Sequence, residues 1–87
     1  RGFARRGGGV NVPRLHPVRW QILEKVFLRA GYIFTHQNSS HRMYARPGSP
    51  RPVVIPAYRE VPVMIIEKNL KTAGISREEF LKLLSEI

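Results

Sequence analysis

His41 is the side chain in this sequence best suited to moving a proton near neutral pH, because a histidine ordinarily titrates around pH 6.5. It follows a break of small polar residues, Gln37-Asn38-Ser39, with Ser40 before it and Arg42 after it, and Arg46 and Arg51 come shortly behind. A neutral imidazole accepts a proton from a hydroxyl and can return one to a departing oxygen, help typically worth about 10²- to 10⁴-fold. Preorganised cations lower the barrier further where charge gathers on phosphate oxygens. Ser40, Arg42 and, if the strands bring it across, His36 are therefore candidate acid–base or phosphate-stabilising partners of His41. Arg42, Tyr44 and Arg46 alternate along one strand as a basic-aromatic stripe suited to phosphate contact and base stacking, and Arg51 extends it from the next strand. Strand parity sets one condition: His41 shares its side with Met43 and Ala45, so it faces away from that stripe unless the turn twists it outward.

Other chemistries find no constellation. His16, His36 and His41 have neither cysteine companions nor a close acidic cluster, so no metal site is expected. No glycine loop followed by Lys and Ser/Thr offers a phosphate cradle, and Gly7-Gly8-Gly9 follows no strand. Ser39 and Ser40 lie beside His41, but no carboxylate is placed to orient a triad. No cofactor is expected.

Charge points to the partner. Fifteen Lys and Arg against six Asp and Glu give a net charge of +9. Glu60, Glu67, Glu78, Glu79 and Glu86 fall in the last third and only Glu24 precedes them, so the first two thirds are strongly basic. An anionic polymer, nucleic acid above all, is the partner such a surface fits. With 87 residues and no cysteine, one small domain must hold itself together by apolar packing alone. No apolar run approaches the roughly 20 residues needed to cross a bilayer, and no signal peptide opens the sequence, so a cytoplasmic protein without a membrane partner is expected.

The elements that must position His41 follow from periodicity and punctuation. Residues 1–15, rich in Gly and Arg, cannot bury enough surface to offset their ordering entropy and read as a flexible basic arm. Residues 16–87 read as one domain. Pro17 suits a helix start, Trp20, Leu23, Phe27 and Ala30 recur at a helical period, and Gly31 is placed to end that helix. From Gly31 to Pro56 the pattern is a three-stranded meander. It turns first at Gln37-Asn38-Ser39 and then at Pro47-Gly48-Ser49-Pro50. Pro62 opens a second helix with Val63, Ile66, Leu70 and Ala73 on its apolar face and Gly74 at its end. Ser76 with Glu79 forms a capping box, and Ile75 with Phe80 a hydrophobic staple, for a short last helix. The fold class is α+β, in the order α-β-β-β-α-α of double-stranded-RNA-binding domains, with helices on one face of an antiparallel sheet.

From about His16 to Ile87 the chain resembles the HicA (YcfA-like) toxin family. The resemblance is carried by Ala30-Gly31-Tyr32 and by Gln37, Ser40 and His41 of the family's Arg-Gln-x-Gly-Ser-His segment. Ile55-Pro56, Leu70-x-x-Ala73-Gly74-Ile75-Ser76 and Glu79-Phe80-x-x-Leu83-Leu84 complete it. It implies a metal-independent endoribonuclease that cleaves mRNA with the histidine of Gly-Ser-His, here His41, and a HicB-like antitoxin as protein partner. A histidine suffices for such a reaction because RNA brings its own nucleophile. The imidazole takes the 2′-OH proton, the oxygen attacks the adjacent phosphate, and a 2′,3′-cyclic phosphate and a free 5′-OH result. The sequence differs from the family pattern at His36 for Arg, Ser39 for Gly, Tyr58 for His, and Met64-Ile65-Ile66 for Gly-Thr-Leu. These differences leave a second reading open, a module of the same fold that binds RNA or the antitoxin without cutting.

Overall fold

The computed structural model describes residues 14–87; of the basic arm, residues 1–13 lie outside the described residues. Leu15, at the arm's end, already packs against the core. The elements run α1 (Trp20–Arg29), β1 (Ile33–Asn38), β2 (His41–Ala45), β3 (Val53–Pro56), α2 (Val63–Ala73) and α3 (Arg77–Ser85). The three strands form one antiparallel sheet in the order β1-β2-β3.

Helix α1 starts at Trp20, with Arg19 as its N-cap, rather than near Pro17. The chain before it is claimed by another partner: Val18 and Val61 form an antiparallel bridge, with N–H···O distances of 3.3 and 2.6 Å. That bridge ties the entry of α1 to the entry of α2. Leu23, Val26 and Phe27 of α1 are fully buried. At its end Gly31 takes φ +97°, and the Tyr32 amide reaches back to the Phe27 carbonyl at 3.0 Å. A Cβ on Gly31 would also meet Arg46 Cδ at 3.3 Å, so both dihedral and space favour glycine there.

Pro47 and Gly48 occupy the centre of the β2–β3 turn, Gly48 at φ +84°, closed by the Ser49 amide on the Arg46 carbonyl at 3.0 Å. Helix α2 ends at Gly74 in the left-handed region, with the Ile75 amide on the Leu70 carbonyl. Ser76 Oγ accepts the Glu79 amide at 3.0 Å, and Ile75 and Phe80 are both buried beside it, as a capping box and staple require.

The core lies between the helices and one side of the sheet. Tyr44, Val53 and Ile55 supply the strand side, and Leu23, Phe27, Ile66, Leu70 and Phe80 the helix side. Their alternation leaves Met43, Val54 and His41 on the opposite side, which no helix among the described residues covers face-on. No helix among the described residues is long and apolar enough to cross a membrane.

Candidate active site

The hairpin that carries His41 is tighter than composition implies. Gln37 and Asn38 remain in the ladder, opposite Arg42 and His41, so the turn is only Ser39-Ser40. Ser39 takes φ +58°, the left-handed conformation that a two-residue hairpin turn ordinarily assigns to Gly or Asn. A serine holds it at a cost of about 1 kcal/mol. Gln37 helps by donating Nε2 to the Ser39 carbonyl at 2.9 Å. Ser40 is half-buried, and its carbonyl accepts the Ala57 amide at 2.7 Å, which fixes the turn to the chain leaving β3.

His41 begins β2, exposed, between Asn38 of β1 and Pro56 of β3. It lines a cavity of about 360 Å³ whose other walls come from Pro52, Val54 and Pro56, from Tyr58, and from α2 through Ile65, Lys68, Asn69 and Thr72. Helix α2 lies beside the outer strand β3, so its Ile65-Asn69-Thr72 flank closes the cavity that the outward residues of β3 begin. A second, broader cleft continues from there, lined by Pro50, Arg51, Lys68, Lys71 and Thr72. The two share Lys68 and Thr72. The result is one track from His41 along α2 to the β2–β3 turn, with Lys68, Lys71 and Arg51 as its cations. None of these three forms an ion pair among the described residues.

The arginines of β2 are placed elsewhere. The stripe of Arg42, Tyr44 and Arg46 faces the helices, on the side of the sheet away from His41. Tyr44 is 0% exposed and offers no surface for a base. Its hydroxyl donates to Glu24 Oε2 at 2.6 Å and accepts from Arg42 Nε at 3.0 Å. Burial, and next the hydrogen bond to the Glu24 carboxylate, push its pKa up to about 12. Arg42 also donates to the same Glu24 oxygen at 2.9 Å and to Gln37 Oε1 at 2.6 Å. Its guanidinium lies 4.5 Å from the Trp20 ring and 4.2 Å from the Phe34 ring. The Tyr44 hydroxyl foremost, then the Glu24 carboxylate, raise its pKa above the ordinary value. Arg46 gives Nη1 to the Ala30 carbonyl at 3.0 Å and Nη2 to the Ala73 carbonyl at 3.1 Å, and lies 4.6 Å over Tyr32. One side chain thus caps the C-termini of α1 and α2, where a cation is electrostatically favoured.

His36 comes to the His41 side by an irregularity. Period two places it with Phe34, facing the helices. A bulge between Phe34 and His36 shifts the register, so Phe34 opposes Tyr44 while His36 opposes Met43. His36 and His41 are then diagonal neighbours on the same side of the sheet, not a directly opposed pair. Thr35, in the bulge, donates Oγ1 to the Met43 carbonyl at 3.1 Å and lies 3.1 Å from His36 Nδ1.

Lys68, Asn69, Lys71, Thr72 and Tyr58 complete the site without having been singled out in the sequence as site residues. Lysines on a surface helix ordinarily mean solubility, and only the fold brings these to His41. Asn69 carried a readable signal: it stands among Ile65, Ile66, Leu70 and Ala73, a polar residue inside an apolar stripe. Among the described residues no group of three His, Asp or Glu could hold a metal ion.

The family model described as the HicA toxin of bacterial toxin–antitoxin pairs matches residues 20–75. The chain belongs to the HicA toxin family. The match runs from the first residue of α1 through Ile75 and so includes His41, all three strands and the α2 flank. This HicA-family chain is therefore a toxin of a toxin–antitoxin pair, with an antitoxin as its partner. A comparison with curated proteins found no match.

Proposed function

We propose that this HicA-family toxin is a metal-independent endoribonuclease that cleaves mRNA with His41, and that a HicB-like antitoxin silences it by covering the same side of the sheet. The observation that carries the reading is the shared cavity: His41 and Lys68 line one pocket, and the next cleft continues the line of cations through Lys71 and Arg51. A single-stranded RNA laid along α2 would meet a cation at successive phosphates, which is how sequence-tolerant affinity arises. At the pocket, His41 takes the 2′-OH proton, and the 2′-oxygen attacks the adjacent phosphorus. The P–O5′ bond breaks, leaving a 2′,3′-cyclic phosphate, and the 5′-oxygen collects a proton. Lys68 stands where a cation can oppose the charge that builds on the phosphate oxygens. His36, a diagonal neighbour on the same side of the sheet, is a candidate for the second proton transfer, and Ser40 holds the turn from which His41 projects. The reaction draws its nucleophile from RNA itself, which is why no metal or cofactor is invoked. An mRNA substrate places the protein in the cytoplasm.

The second reading, binding without cleavage, is favoured by the replacements at Ser39 and Tyr58, which alter the turn before His41 and the cavity wall beside it. One comparison separates the two. Wild type and His41→Ala are assayed in the presence of a chelator for cleavage of single-stranded RNA and, in cells, for growth arrest. The expected result is cleavage ending in 2′,3′-cyclic phosphate that falls by at least about 10²-fold in the variant, with an unchanged melting temperature. Equal cleavage by the two proteins removes His41 from the mechanism. No cleavage by either leaves the binding module.

A further inference from the structure

We propose that the cavity beside His41 is a nucleobase-binding site in which the Asn69 amide reads the edge of the base next to the scissile phosphate. This rests on the ribonuclease reading above and deepens it from backbone tracking to base selection. Asn69 sits in the middle of α2 with its residue only 5% exposed, and its amide nitrogen Nδ2 is buried without a hydrogen-bond partner among the described residues. A buried donor left unmet destabilises the free protein, and asparagine is a poor residue for a helix interior. Leucine in that position would continue the stripe of Ile66 and Leu70 and remove both penalties. An amide in that position is explained by something that meets it once the side chain turns its nitrogen toward the cavity it lines.

The cavity that Asn69 lines has the shape and chemistry of a base site. Its volume of about 360 Å³ lies toward the small end of the range of about 300–1,000 Å³ for small-molecule pockets. Val54, Pro56 and Ile65 give it apolar walls, against which the π-face of a base can lie, and Tyr58 adds an exposed aromatic ring. A phosphate by itself would have no use for such walls. It would be met by Lys68, which is exposed, while the amide stands deeper. A side-chain amide carries a donor and an acceptor side by side, the pattern that base edges complement, and single-stranded RNA can splay a base out to be read this way. His41 lines the same cavity, so the base that enters belongs to a nucleotide flanking the bond it cuts.

The test uses short single-stranded oligodeoxynucleotides of each base, which lack the 2′-OH and cannot be cleaved, titrated into wild type and Asn69→Leu. Wild type is expected to favour one base by about tenfold, the worth of one hydrogen bond to an otherwise unmet donor, with the Asn69 side-chain amide resonance shifting as that oligonucleotide binds. Asn69→Leu is expected to bind all four within about twofold of one another and to melt at a higher temperature than wild type. Equal binding of the four by wild type, or an undiminished preference in Asn69→Leu, overturns the proposal. Should the variant not fold, an Asn69 amide resonance that stays unmoved in wild type at saturation overturns it equally. The ribonuclease reading fails separately: RNA cut with no preference among bases refutes the base site alone, whereas base-selective binding lost in Asn69→Leu by a protein that cuts no RNA refutes the nuclease alone.

Discussion

The two sides of strand β2 use cations in opposite ways. Toward the helices, Arg42 and Arg46 spend every strong interaction inside the protein, on Glu24, Gln37, Tyr44, two helix-terminal carbonyls and three aromatic rings. On the other side, Lys68, Lys71 and Arg51 line open clefts that lead to His41 and form no ion pair among the described residues. An arginine's planar fork suits the first task, because it can bind a carboxylate, an amide oxygen and a ring face at once. A lysine's compact and hydrated charge suits the second. The contrast shows that basic composition alone does not locate a nucleic-acid surface: of the three arginines that follow His41 most closely, Arg42 and Arg46 hold the fold together and only Arg51 lines a cleft.

Removing Arg42 should break the helix-facing side most severely. Arg42→Ala leaves the Glu24 carboxylate and the Tyr44 hydroxyl without their shared donor beneath the Trp20 and Phe34 rings. It should lower stability by about 2–3 kcal/mol, or about 10 °C or more in a domain of this size. Calorimetry checks this, while RNA cleavage per folded molecule, measured well below the melting point, should change by no more than a few-fold. A smaller effect sharpens the same contrast. Tyr44 has its folded pKa raised from about 10 to about 12, so its contribution is fully present below pH 10 and is lost as pH rises through 12. Denaturant unfolding followed between pH 9 and 12 should show stability declining in wild type, and Tyr44→Phe should decline less over the same interval.

How much of this was legible in the sequence depended on how local each determinant is. Gly31, Gly74 and Ser76 fix helix ends through dihedrals and bonds made within a few residues, and they could be read directly. The side on which His41 lies could also be read, since parity within one strand needs no partner. Parity failed for His36, because the bulge at Thr35 exists only in the pairing of two strands and leaves no mark on the pattern of one. The role of Arg42 and Arg46 was hidden for a similar reason: their partners Glu24, Ala30 and Ala73 lie 16 to 27 positions away along the chain. Lys68 and Asn69 reach His41 only because α2 docks beside β3. The amide inside an apolar stripe was the one local hint of that site.

Mapping where a ligand touches the protein tests the division between the two sides most directly. Backbone and side-chain resonances of the wild-type protein would be followed as a non-cleavable single-stranded oligodeoxynucleotide is added at low salt. The expected shifts concentrate on His41, Val54, Lys68, Asn69, Lys71, Thr72 and Arg51, with Trp20, Glu24, Arg42 and Tyr44 nearly unmoved. Shifts gathered instead around Trp20, Phe34 and Arg42, with the α2 flank silent, would contradict it.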